Sequence, residues 1–334
     1  MMWMRIVFGT AALTLALLIH APAYGFDLQG HRGARGLAPE NTLAAFEAAL
    51  RLGVTTLELD LGLSRDGMLV VHHDLRLNPD MTRDTGGGYV SDAAISIRSL
   101  TLAQMAQYDV GRAKPGSRTA QAFPRQQPRD GARIPTLAEV FALADRLGAT
   151  DVRFNIETKL TPRSSAETPD PETFARAVAD VVRQHRLAGR VTVQSFDWRT
   201  LVALRTIAPD IARACLTAET PGFDTIERGK PGASPWTAGL DVDDFEGSVP
   251  RLAAQAGCAV WSPQFRNLTR AAVAEAHGLG LAVIPWTANE PADLAMLIDM
   301  KVDGIITDYP DRARDVMQAK GLPLPAPVPS HQKE

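Results

Sequence analysis

From Phe26 onward the chain alternates short apolar runs with longer amphipathic stretches. The runs Phe26–His31, Thr56–Leu61, Arg153–Glu157, Val191–Ser195, Ile211–Leu216, Ala259–Pro263, Leu281–Trp286 and Gly304–Thr307 have strand length and strand-forming residues. Each predicts a β-strand. Between them, Asn41–Leu52, Thr136–Leu147, Pro171–His185, Trp198–Ile207, Val249–Ala256, Thr269–His277 and Pro291–Met300 are amphipathic, which predicts helices with one buried face. Asn41 and Thr42 offer caps for the first helix, and Thr136 after Pro135 starts the second. Eight strands alternating with helices predict a closed (β/α)8 TIM barrel, an α/β fold. A doubly wound open sheet is the alternative; the chain lacks the glycine-rich phosphate fingerprint that such sheets use.

Two stretches interrupt the alternation. Residues 75–133 are rich in Gly, Pro, Gln and charge, with one short helical piece at Leu102–Gln107. They follow the second strand and its hairpin, so they predict a small insertion over the barrel mouth. Residues 217–248 carry Trp236 and the acidic group Asp241, Asp243 and Asp244. Long loops in compact domains either shape a site or run through solvent, and both readings stand here. The chain thus divides into a signal peptide (1–25), a single barrel domain (26–320) and a disordered Pro-rich tail (321–334).

Arg5, the apolar stretch Ile6–Ile19 and the small residues from Ala21 to Gly25 make up that signal peptide. The run is short of a full membrane span. The mature protein is expected to be exported, periplasmic or secreted, with no stable membrane insertion. Two cysteines in an exported chain invite a disulfide. Extrapolating straight strands, however, offsets Cys215 from Cys258 by about 10 Å, so two buried free thiols are expected. A formal charge of -3 without any block of like charges excludes the basic face of a nucleic-acid binder.

Glu58 and Asp60 lie two residues apart on one apolar run, so their carboxylates leave the same side of a strand. Charges that close repel, and a bound cation is the usual remedy. Glu157 on another run completes an all-oxygen set that favours Ca²⁺ or Mg²⁺. A zinc site built from His31, His73 and an acid is the alternative. His31, Glu58, Asp60 and Glu157 all close predicted strands, the end at which barrel sites are built. The imidazoles then serve proton transfer, while Arg32 and Lys159 supply positive charge for a phosphate. His72 and His73 point to opposite sides, so only one faces the site. Ser195, Phe196, Trp236 and Trp286 stand as pocket walls or as barrel packing. The set is that of metal-assisted phosphoester chemistry.

In sequence order, these segments resemble the glycerophosphodiester phosphodiesterase family. The resemblance is carried by His31-Arg32-Gly33 with Pro39-Glu40-Asn41-Thr42, and by Glu58-Leu59-Asp60 through Asp66-Gly67 to His73-Asp74. It continues through Asn155-Ile156-Glu157 with Lys159, Gln194-Ser195-Phe196-Asp197, Trp286-Thr287-Ala288-Asn289 and Gly304 to Pro310. The resemblance implies a barrel with an insertion after the second strand and one divalent cation, Ca²⁺ or Mg²⁺, on Glu58, Asp60 and Glu157. It implies His31 and His73 as the acid–base pair, His31 as base and His73 as acid, with Arg32 and Lys159 facing the phosphate. Substrates would be small glycerophosphodiesters such as glycerophosphocholine or glycerophosphoethanolamine, giving sn-glycerol 3-phosphate and an alcohol. The alternatives are a phospholipase D-like enzyme acting on lysophospholipids or sphingomyelin, and an exported binder without turnover.

Overall fold

The computed structural model describes residues 25–91, 95–163 and 167–329. The expected signal peptide lies outside the described residues except for Gly25. Eight parallel strands form the barrel: β1 (Asp27–Gly30), β2 (Thr56–Leu63), β3 (Arg153–Thr158), β4 (Val191–Ser195), β5 (Ala212–Thr217), β6 (Val260–Pro263), β7 (Ala282–Val283) and β8 (Gly304–Thr307). Neighbours in sequence are neighbours in space, from β7 round to β2, and β1 pairs with β8. Across the remaining seam, Asp303 N–H bonds Val283 O at 2.9 Å and Ile306 N–H bonds Pro285 O at 3.0 Å. Strand β7 is shorter than its apolar run because Pro285 has no N–H to give the ladder.

The helices are α1 (Leu43–Leu52), α2 (Leu137–Arg146), α3 (Pro171–Gln184), α4 (Trp198–Ile207), α5 (Val249–Gln255), α6 (Arg270–Gly278), α7 (Pro291–Asp299) and α8 (Pro310–Ala319). Of these barrel helices only α8 has no counterpart in the sequence reading; the insertion adds the expected turn at Leu102–Met105 and an unexpected one at Arg118–Ala122. Thr42 caps α1, and Thr136 with Glu139 forms a capping box on α2, each cap contributing about 1 kcal/mol. Along β2 the alternation decides the layers. Leu57, Leu59 and Leu61 join the core shared with the helices, while Glu58 and Asp60 turn inward and upward toward the mouth. Phe174, Val178 and Val182 recur every four residues on α3 and are fully buried, each side chain contributing about 1.5–3 kcal/mol.

The insertion has its own small core of Val70, Leu77, Ile97, Leu100, Met105, Val110 and Ile134. It reaches back to the loop after β1. Gln127 N–H bonds Leu37 O at 2.8 Å, the Gln126 side chain bonds Arg35 O at 2.9 Å, and Arg35 stacks over Phe123 at 4.4 Å. The insertion therefore braces the segment that carries His31 and Arg32.

Two expectations are corrected. Cys215 and Cys258 form a disulfide with a Cα–Cα separation of 5.9 Å. Straight-strand extrapolation fails because Cys258 is not on the line of β6. Gly257, at φ 81°, turns the chain, and the Cys258 N–H bonds Ala253 O at the end of α5, which folds the thiol back over β5. The tail expected to be disordered is held as far as Pro329. Val328 N–H bonds Leu50 O, and Arg314 bridges Gly53 O and Pro325 O at 2.7 Å each.

Candidate active site

The turn after β1 is built around His31, Arg32 and Gly33. Arg32 has φ 50° and Gly33 φ 87°. A Cβ at Gly33 would lie 2.5 Å from the Ala45 backbone, so only glycine fits there. The left-handed Arg32 is held by its own N–H, which donates to Glu58 Oε2 at 2.8 Å. Strained backbone of this kind persists where surrounding contacts over-determine it, often at a site.

Glu58 and Asp60, midway along β2, converge with Glu157 near the end of β3, where the register pairs Asp60 with Glu157; β2 runs on to Leu63, so the two acids do not close their strand as expected. One carboxylate oxygen from each lies within 4.8 Å of the other two, and all three side chains are buried. Asp60 Oδ1 is buried with no hydrogen-bond partner. Three buried carboxylates with an orphaned inward oxygen suit a hard divalent cation. Without one, their environments diverge. Burial, then the neighbouring Asp60, pushes Glu58 well above the usual carboxylate range. Burial pushes Glu157 up to about 7 against the pull of Lys159. For Asp60, burial is outweighed by Arg32, His73 and Lys159, and its carboxyl sits well below the ordinary value.

A cavity opens at the mouth above them. It is lined by His31, Arg32, Glu58, His73, Glu157, Lys159 and Gln194 on one side and Phe196, Leu216, Trp286 and Ile306 on the other. His31 Nδ1 is 2.6 Å from Asp308 Oδ1, and Asp308 is itself held by Asn289 Nδ2 at 2.6 Å. Its Nε2 lies 4.0 Å from Glu58 Oε2. His73 Nδ1 is 2.7 Å from Asp74 Oδ1. Burial lowers the pKa of both rings: it outweighs Asp308 at His31, and with Arg32 and Lys159 it takes His73 to about 4. Both are neutral near pH 7, each with an Nδ1–H donated to a carboxylate and Nε2 left free.

The structure thus brings together His31, His73, Glu58, Asp60, Glu157, Arg32, Lys159, Phe196 and Trp286. Trp236 is not on the cavity wall; it is 6% exposed and packs on Phe223, which packs on Phe196 with centroids 5.0 Å apart. Ser195 is fully buried, its hydroxyl on Thr158 O, and is barrel packing. Lys159 is ion-paired with Glu157 at 2.7 Å and lies 3.6 Å from Asp60. The Arg32 guanidinium pairs with Glu40 at 2.7 Å and Asp60 at 3.2 Å. His72 turns away, its Nδ1 on Asp74 O. The acidic group of the second long loop serves its own turns: Asp243 N–H bonds Asp241, and Gly229 N–H bonds Asp243.

Sequence reasoning gave no role to Asp308, Asp74, Glu40 or Gln194, and read Asn41 only as a helix cap. Asn41 donates to Asp60 Oδ2 at 2.8 Å rather than capping α1. An acid directly after a strand-end residue, as in Thr307-Asp308 and His73-Asp74, is the signal that was available.

A parallel eight-stranded barrel with a three-carboxylate cluster and two carboxylate-held imidazoles at its mouth defines a TIM-barrel phosphodiesterase. The model of the glycerophosphoryl diester phosphodiesterase family matches residues 31–312, and the chain belongs to that family, whose activity it shares. It is 30% identical over 284 residues to the glycerophosphodiester phosphodiesterase of Bacillus subtilis (strain 168), covering 84% of this chain and 83% of the relative. A solved structure from Silicibacter pomeroyi DSS-3, described as a glycerophosphoryl diester phosphodiesterase, superposes with a TM-score of 0.79 at 34% identity, covering 90% of this chain and 96% of that one. An Oleispira antarctica phosphodiesterase in complex with the product sn-glycerol-3-phosphate shares the fold, with a TM-score of 0.64 at 23% identity over 88% of this chain and 97% of its own.

Proposed function

We propose that this enzyme hydrolyses small glycerophosphodiesters, such as glycerophosphocholine and glycerophosphoethanolamine, to sn-glycerol 3-phosphate and an alcohol. The carrying observation is one cavity holding three mutually close carboxylates and two imidazoles, each ring oriented by its own acid. Glu58, Asp60 and Glu157 would hold one Ca²⁺ or Mg²⁺, which when bound supplies positive charge beside the phosphoryl oxygens. Arg32 and Lys159 bind the phosphate from the same side. His31, neutral with Nε2 free, takes the proton from the attacking oxygen, either water or the substrate's 2-hydroxyl; in the second case a cyclic phosphodiester forms and a water then opens it to glycerol 3-phosphate. His73 protonates the departing alkoxide. Its depressed pKa owes part of its depression to Arg32 and Lys159; a docked phosphate offsets those cations and raises His73 toward a value at which it donates.

The charged lining of the cavity, with Arg32, Lys159 and two imidazoles beside the acids, supports a small diester over a lysophospholipid or sphingomyelin. The presence of both imidazoles and all three acids supports turnover over a binding-only role. We also propose an exported protein, periplasmic or secreted. The N-terminal apolar stretch and the Cys215–Cys258 disulfide support an oxidising compartment, and no described helix is long and apolar enough to cross a membrane.

The test is a panel of glycerophosphodiesters and lysophospholipids assayed with Mg²⁺, Ca²⁺, Zn²⁺ and EDTA. Glycerol 3-phosphate released from the diesters is the expected result. Cleavage confined to lysophospholipids or sphingomyelin would replace the substrate assignment, and binding without cleavage at any metal concentration would leave a binder.

A further inference from the structure

Beneath the cavity, five buried side chains form a hydrogen-bonded ladder across the barrel interior, where apolar residues usually pack. At the floor, Asp27 accepts from Gln29 Nε2 at 2.9 Å and also from Thr55 and Thr56 hydroxyls at 2.7 Å each. Gln29 Oε1 accepts from Asn155 Nδ2 at 2.8 Å, and the same amino group donates to Gln194 Oε1 at 2.9 Å. Gln194 Nε2 then donates to Glu58 Oε1 at 2.8 Å. Gln29 and Asn155 are 3% exposed, and Gln194 is 1% exposed.

The ladder ends on a carboxylate at each side; with a cation on Glu58 both are ionised, and an ionised carboxylate only accepts. Each glutamine must therefore turn its amino group outward and its carbonyl toward Asn155. Asn155 must give one N–H to each carbonyl, which leaves its own Oδ1 with nothing to accept. That oxygen is indeed buried without a partner. An unmet buried acceptor carries a desolvation penalty, so the arrangement is held against a local cost. It has one polarity and no alternative.

We propose that Asn155 is a positioning residue for the cation site, acting on Glu58 through Gln194. Asn155 does not line the cavity; it stands opposite Glu58 in the β2–β3 register, but its side chain bonds Gln29 and Gln194 and not a proposed ligand. Its N–H fixes the rotamer of the Gln194 amide, which otherwise is free to turn its oxygen toward Glu58. With Gln194 on Oε1 and the Arg32 N–H on Oε2, the carboxylate plane of Glu58 is set, and its remaining lone pairs face Asp60 and Glu157. Partners behind the ligands commonly set metal affinity in this way. The inference rests on the cation site proposed above.

The experiment is isothermal titration of Ca²⁺, and separately Mg²⁺, into dialysed wild-type, Asn155→Leu and Gln29→Leu proteins, with thermal unfolding of each cation-free protein. Both variants remove one rung from the same buried ladder, but only Asn155→Leu cuts the path to Glu58. Affinity is expected to fall about tenfold or more in Asn155→Leu and to stay within twofold of wild type in Gln29→Leu. If Asn155→Leu does not fold, Asn155→Ser, too short to reach either amide, carries the same comparison. Wild-type affinity in the Asn155 variant, or equal losses in both variants, overturns the inference while leaving the cation site standing. A wild-type protein that binds neither ion overturns the cation site and the inference with it.

Discussion

Each imidazole in the site is held through Nδ1 by a carboxylate, Asp308 for His31 and Asp74 for His73, which aims Nε2 at the substrate. Replacing His73 by Ala should lower kcat by roughly 100-fold or more with the fold unchanged in circular dichroism; near-normal turnover would remove His73 from the mechanism. Glu157 offers a second handle. Its carboxyl is pushed up to about 7, so below that pH a proton competes with the cation for the same oxygen. Cation affinity should weaken by about tenfold or more per pH unit as pH falls below 7, because Glu58, also raised by burial, adds a second competing proton. Calorimetry at pH 6 and pH 8 checks this, and equal affinity at both would contradict it. The ligand acids and both imidazoles were legible because strand alternation and strand-end position are local properties of the sequence. Asp308 was not: 277 residues separate it from His31, and only barrel closure, which sets β8 beside β1, makes them neighbours.

At the scale of elements, all eight strands and seven helices stood in the hydrophobic pattern. Helix α8 did not, although Pro310 at its start is a favoured first helical residue. The disulfide was missed for a geometrical reason: the turn at Gly257 and Cys258 belongs to the end of α5, and strand spacing says nothing about it. That bridge closes a loop spanning 43 residues, which includes the hairpin carrying Phe223. On the chain-entropy account, such a closure stabilises by about 4 kcal/mol. A Cys215→Ala/Cys258→Ala variant should therefore show a lower urea midpoint, with a slope equal to or above wild type because the unbridged denatured chain exposes more surface. Stability equal to wild type would mean that the strand packing alone holds the loop.

At the scale of the whole molecule, an ordinary α/β barrel supplies a rigid frame, and its interior departs from the usual apolar filling near the mouth. Thr56, Glu58 and Asp60 alternate with Leu57, Leu59 and Leu61 on a single strand, so the same residues that build the fold's outer layer space the ligands of its site. The insertion braces the His31 loop from outside through Gln126 and Gln127. Its contacts were illegible in the sequence because they join segments that no local pattern relates. The central claim is that turnover depends on a cation gripped by Glu58, Asp60 and Glu157. Its most direct test is release of glycerol 3-phosphate from glycerophosphocholine before chelation, after dialysis against EDTA, and after returning Ca²⁺ or Mg²⁺. Activity should vanish on chelation and return with one of the two ions in wild type but not in a Glu157→Gln variant; full activity in EDTA would contradict the account.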